Sequence, residues 1–275
     1  MTTALVLGAG GITGVAWQIG LLIGLRRQGV DLSRVDRIIG TSAGALTGAL
    51  IATGVEPELA AEFEEGRRTP IRPDWDRGAQ AFALLNDETL DPVAVRAGVG
   101  MLAVAAEVGD EDEYIASLAR RLPVQDWPAP GRLSITAVDT ATGAPVVWDG
   151  ADTVPLLRAV AASCAVPCLF PPVTVDGGRY MDGGVRSYTN ADLAGDADVV
   201  LVIAPRLPFG LRRTCAEEEP VLRDAGRVTV VEPDAAAVAA GGDDVFDLRR
   251  WRATVDAGIA QGESLAPRIA ALLAG

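Results

Sequence analysis

Ser42 stands in the run Gly40-Thr41-Ser42-Ala43-Gly44, a Gly-x-Ser-x-Gly pattern. Glycines two places to either side of a serine allow a sharp bend between a strand and a helix, which holds the hydroxyl out for attack on a carbonyl carbon. A helix beginning at Ala43 also turns the positive end of its dipole toward that oxygen. The competing role for Ser42 is a helix N-cap, a place serine often takes. A second cluster, Gly8-Ala9-Gly10-Gly11-Ile12-Thr13-Gly14, can converge backbone N–H groups on an anion. That anion is either a phosphate or the oxyanion of an acyl-transfer intermediate. As a dinucleotide loop the cluster fails, because Thr13 stands where Gly-x-Gly-x-x-Gly needs its third glycine. A ribose-binding acid should also end the second strand, where this chain has Gly40 and Thr41.

A nucleophilic serine needs a base, and the chain has no histidine. That excludes the Ser-His-Asp triad, Cys-His catalysis and HExxH zinc sites. Lysine is absent too, so all 24 basic residues are arginine. A Walker A loop, a Schiff-base lysine and a Ser-x-x-Lys dyad are thereby excluded. The candidate bases are carboxylates. Asp182-Gly183-Gly184 follows a strand-like run and would hold an acid rigidly near a sheet end, whereas Asp176-Gly177-Gly178 fits the tip of a hairpin. Cys164, Cys168 and Cys215 are an odd set with no histidine beside them and read as small buried residues. No metal and no cofactor is expected.

These residues need strands and helices to position them. Residues 3–7 form a short apolar strand, and residues 15–25 a helix apolar on nearly every face. Residues 35–40 are the next strand, and 43–53 a helix of small residues. Strand, tight turn and helix thus occur twice in succession, the pattern of a parallel α/β sheet. Residues 56–130 read as a more charged helical insertion, open to a lid-like role, in which 90–108 is expected to be a buried core helix. Strands resume at 132–138 and 145–148, with helix at 155–165. Residues 173–176, a turn at Gly177-Gly178 and residues 179–181 make a hairpin leading into Asp182, strands follow at 199–203 and 228–231, and 248–273 close the chain as helix.

At 275 residues the chain suits one large domain. A net charge of −13 disfavours nucleic acid, whose binding needs basic residues to displace counterions, and disfavours adsorption to anionic lipid. The uncharged stretch 1–25 lacks the leading positive charge of a signal peptide, and its glycines interrupt it as a membrane span, so a cytoplasmic location is expected.

The glycine loop after the first strand, Gly-Thr-Ser-Ala-Gly after the second and the late Asp-Gly-Gly together resemble the patatin-like phospholipases. The resemblance extends to residues 162–172, with their small-residue and Pro-rich run, and to the hairpin entering Asp182. It implies a three-layer α/β/α fold around a central, mostly parallel sheet. It also implies acyl-ester hydrolysis by a Ser-Asp dyad, with Ser42 as nucleophile and Asp182 as general base. Gly10, Gly11 and Ile12 would donate to the oxyanion, Gly8, Gly40, Gly44, Gly183 and Gly184 would shape the turns, and Asn190 would be structural. A lipid or other acyl ester is the implied substrate, with transient contact to a membrane or lipid aggregate. Thr13 stands where the family usually has a basic residue, and Gln18 near a frequent histidine. A nucleotide-binding protein in which Ser42 merely caps a helix, or a family member that binds acyl chains without turnover, are the alternatives.

Overall fold

The computed structural model describes residues 1–62, 72–151, 153–207 and 227–274; Cys215 lies outside them. Among the described residues, eight strands form one sheet. They are β1 (Thr3–Leu7), β2 (Arg37–Gly40), β3 (Leu133–Asp139), β4 (Pro145–Trp148), β5 (Val173–Val175), β6 (Gly178–Asp182), β7 (Val199–Ile203) and β8 (Val228–Val231). The order is β5-β6-β3-β2-β1-β7-β8, with β4 also paired to β3. The β3-β2-β1-β7-β8 block is parallel, and the β4, β5 and β6 pairings are antiparallel. A central, mostly parallel sheet flanked by helices is the architecture expected from the sequence.

β1 lies in the middle of the sheet with both faces covered, which is why Ala4–Leu7 is a continuous apolar run rather than an alternating one. One face, carrying Leu5, Leu7, Ile38 and Ile135, packs under α1 (Gly11–Arg27), α2 (Ala43–Ala52), α7 (Leu156–Ser163) and α9 (Trp251–Ala274). On the other face Ala4, Val6, Val200 and Val202 meet the short 3-10 helix Ala191–Ala194. Farther along that side, Val138 and Met181 pack under α4 (Trp75–Leu85) and α5 (Pro92–Ala105). The remaining helices are α3 (Pro57–Glu62), α6 (Glu111–Ala119) and α8 (Ala235–Gly241). No described helix is long and apolar enough to cross a membrane.

α1 is buried from Thr13 to Leu25 because α9 covers the side that faces away from the sheet. The two helices meet backbone to backbone. A Cβ on Gly20 would stand 2.2 Å from Val255 O, one on Gly24 2.2 Å from Ile259 O, and one on Gly262 2.4 Å from Leu21 O.

Three sequence expectations need correction. β2 begins at Arg37 rather than 35, since the 3-10 turn Leu32–Arg34 precedes it. The hairpin turn is Asp176-Gly177, with φ of 47° and 82°, because aspartate tolerates the left-handed region that a two-residue turn requires. α5 buries only the stripe Val95, Val99, Gly100 and Ala103, leaving Val93, Met101 and Val104 exposed, so it is a covering helix and not a core one.

Candidate functional site

The glycine loop and Ser42 lie at the same end of the sheet because they follow adjacent parallel strands whose last residues, Leu7 and Gly40, are in register. This is the crevice beyond the carboxyl ends of the strands, where α/β proteins bind ligands. Asp182 reaches the spot from the opposite direction. Ile135 of β3 pairs with both Gly40 and Trp148, while Ala137 pairs with both Val146 and Asp182. β2 and β6 must therefore share the edge of β3 that β4 does not occupy, and their carboxyl ends meet nearly head-on.

Ser42 occupies the N-cap position of α2 but makes no side-chain capping bond, and its backbone is at φ 54°, ψ −116°. A left-handed φ on a residue with a Cβ is a strained arrangement of the kind that accumulates at functional sites. The flanking glycines allow it. A Cβ on Gly44 would lie 1.9 Å from Leu7 O, and one on Gly40 2.6 Å from Gly44 O. The Ser42 N–H donates to Ser163 Oγ at 2.9 Å, and the Cys164 thiol donates to the Ser42 carbonyl at 3.1 Å.

Asp182 is 4% exposed. Its N–H donates to Ala165 O at 3.0 Å, and its Oδ1 accepts the Gly184 N–H at 2.7 Å. Gly183 passes so close to β3 that a Cβ there would stand 2.3 Å from Thr136 Oγ1. Burial pushes the Asp182 carboxyl up to about 7, against the pull of donors on Ser42 and Gly184. Oδ2 of Asp182 has no hydrogen-bond partner among the described residues. Catalytic hydrogen bonds are often long or unformed until a substrate tightens them. Asp176, by contrast, is exposed at its hairpin tip.

A buried polar knot fixes the two turns to each other. Thr41 and Thr136 share a hydroxyl hydrogen bond of 2.9 Å, and Asn190 Nδ2 donates to Thr41 Oγ1 at 3.0 Å and to Ser187 O at 2.8 Å. Asn190 is itself held by Arg186, which donates to its Oδ1 at 2.6 Å and pairs with Asp192. Thr136 and Ser163 are partners that the sequence does not mark; each is a hydroxyl residue in a largely apolar strand or small-residue helix.

In the glycine loop, Gly11 has φ 61°, and a Cβ on Gly10 would lie 2.5 Å from Pro205. The N–H groups of Gly10, Gly11 and Ile12 donate no hydrogen bond among the described residues, whereas those of Ala9, Thr13 and Gly14 are used. Gly8 is braced by Gln18, whose Nε2 donates to its carbonyl at 2.9 Å.

Gly11, Ile12 and Ser42 line a cavity of about 440 Å³. Val15, Leu46, Leu118, Phe170 and Trp251 give it apolar walls, and Arg121, Asp247 and Arg249 add charge. The volume is that of an ordinary small-molecule site. Tyr114 stacks on Phe170 with centroids 4.9 Å apart. Cys168 is a core residue as expected, but Cys164 is half-buried and borders the cavity. Thr13 lines a different, 210 Å³ pocket with Pro205 and Gly241.

Residues 5–194 match the model of the patatin-like phospholipase family. An uncharacterized NTE family protein of Mycobacterium bovis is 29% identical over 203 residues, which are 73% of this chain and 48% of that protein. The uncharacterized protein YqhO of Bacillus subtilis is 29% identical over 198 residues, covering 66% of this chain and 63% of its own. The chain thus spans about half the length of the mycobacterial relative. Among solved structures, VipD from Legionella pneumophila aligns over 97% of this chain and 67% of its own, at TM-score 0.48 and 14% identity. The type III effector ExoU aligns over 95% of this chain and 53% of its own, at TM-score 0.37 and 17% identity.

Proposed function

The chain belongs to the patatin-like phospholipase family, and from that premise we propose that it hydrolyses carboxylic esters of lipids, with Ser42 as nucleophile and Asp182 as base. The observation that supports this reading is the strained turn of Ser42, set at the sheet end where the buried Asp182 also arrives. The serine sits on a strained turn with its hydroxyl unused for capping, and burial pushes the Asp182 carboxyl up to about 7. A carboxylate near its ordinary value of about 3.9 is a weak base, and raising it toward the working pH improves proton transfer.

In the first step Ser42 Oγ bonds to the ester carbonyl carbon while its proton passes to Asp182. The carbonyl π electrons move onto oxygen, and the free N–H groups of Gly10, Gly11 and Ile12 receive that oxyanion. Collapse expels the alcohol, which takes the proton from Asp182. Water then attacks acyl-Ser42, giving its proton to Asp182. The carboxylic acid leaves, and the proton returns to Ser42. The apolar walls suit an acyl chain, and α6 with the residues after it supplies the wall contributed by the helical insertion. Lipid in an aggregate or membrane is the substrate form, reached by transient contact.

Thr13 motivates the second reading, a family member that binds acyl chains without turnover. Its side chain belongs to the smaller pocket rather than the Ser42 cavity, which favours retained chemistry. The test is fluorophosphonate labelling with peptide mapping, together with hydrolysis of chromogenic esters and phospholipids. Label on Ser42, and turnover lost in Ser42→Ala and Asp182→Asn but kept in Asp176→Asn, is the expected result. Unchanged turnover in the first two variants refutes the dyad, and labelling without turnover favours the binding-only member.

A further inference from the structure

Residues 163–165, at the end of α7, grip both arms of the candidate dyad. Ser163 Oγ accepts the Ser42 N–H at 2.9 Å, and the Cys164 thiol donates to the Ser42 carbonyl at 3.1 Å. The next residue, Ala165, accepts the Asp182 N–H on its carbonyl at 3.0 Å. One short turn therefore bonds the serine's peptide on both sides and the aspartate's on one. That turn is itself anchored, since the Cys164 N–H donates to Val160 O at 3.0 Å and the Ala165 N–H to Ala162 O at 3.1 Å.

The Ser42 backbone needs such a hold. At φ 54° it occupies a region that a residue with a Cβ keeps only when its surroundings over-determine it. Ser163 is fully buried, so its hydroxyl gives a donor shut off from water its acceptor. Burial, and after it the Asp182 charge, push the Cys164 thiol well above the usual range, so it stays protonated and can donate. The bond to Ser163 also occupies the Ser42 N–H, leaving the oxyanion to the glycine loop.

We propose that Ser163 and Cys164 are positioning residues that lock the Ser42 peptide in its strained turn and thereby set the reach of its hydroxyl to Asp182. This rests on the reading of Ser42 as nucleophile. Neither residue performs this role by touching the ester; both act through the backbone of Ser42.

The test compares wild type, Ser163→Ala, Cys164→Ala and Cys164→Ser, reading the rate of Ser42 labelling by a fluorophosphonate, kcat and KM on a chromogenic ester, the pH-rate midpoint and the melting temperature. Ser163→Ala should lower labelling rate and kcat by about tenfold or more with KM held within about twofold, the cost of stranding a buried donor. Its pH midpoint should rise, because a displaced Ser42 hydroxyl no longer stabilises the Asp182 carboxylate. Cys164→Ala should show a smaller loss that Cys164→Ser, a stronger donor, restores. If Ser163→Ala does not fold, the Cys164 pair decides alone. Wild-type labelling rates and an unmoved pH midpoint in Ser163→Ala, or in both Cys164 variants, overturn the proposal. A wild type that neither labels nor hydrolyses removes the nucleophile reading itself, and this proposal with it.

Discussion

At the scale of single residues, Asp182 links activity and stability to pH in opposite senses. Its carboxyl, raised by burial to about 7, must be ionised to accept a proton from Ser42. The rate at limiting substrate should therefore climb with pH, reach half its plateau near pH 7 and stay flat above it, measured as kcat/KM. With no histidine in the chain, such a limb has Asp182 as its natural owner. Stability runs the other way. A folded pKa above the unfolded value of about 3.9 favours the fold fully below pH 4, and that contribution is lost as pH rises through 7. Asp182→Asn should therefore be more stable than wild type at pH 8, by up to about 4 kcal/mol in urea unfolding, and equal to it near pH 4. The types Ser, Asp and Gly in these motifs were legible in the sequence because each has a chemical or steric demand nothing else meets. Thr136, Ser163 and the buried knot around Asn190 were not legible as partners. A hydroxyl in a strand or helix has no local mark of what it will touch after folding.

At the scale of elements, the two glycine-punctuated strand–turn–helix units were legible because the break in periodicity and the glycines coincide. Gly44 shows why the punctuation is obligatory, since α2 rests on the backbone of β1 there. Gly44→Ala should cost about 3 kcal/mol or more by chemical denaturation, through overpacking against Leu7 O. Gly109→Ala, with nothing within 4 Å of the added carbon, should stay within about 0.5 kcal/mol of wild type. α5 was misread because apolar composition alone does not say how many faces are covered. The turn of the hairpin slipped by one because Asp-Gly and Gly-Gly both supply the backbone it needs. The packing of α1 on α9 was invisible for a different reason. Glycines four apart in each helix are a signal only once the two helices are known to cross.

At the scale of the molecule, the net charge of −13 sets how the protein meets its proposed substrate. An anionic lipid surface repels it, and salt screens that repulsion within a Debye length of about 8 Å at physiological ionic strength. Hydrolysis of anionic vesicles should accordingly rise with added sodium chloride, while hydrolysis of zwitterionic vesicles changes little. The glycine-lined crossing of α1 and α9 reaches across nearly the whole chain, as the bond between Trp17 and Gln261, 244 positions apart, makes plain. A ribosome delivers the oily α1 long before α9, the partner that shields it. Between the emergence of α1 and that of α9 the nascent chain carries a sticky surface, which makes it a natural client for chaperones.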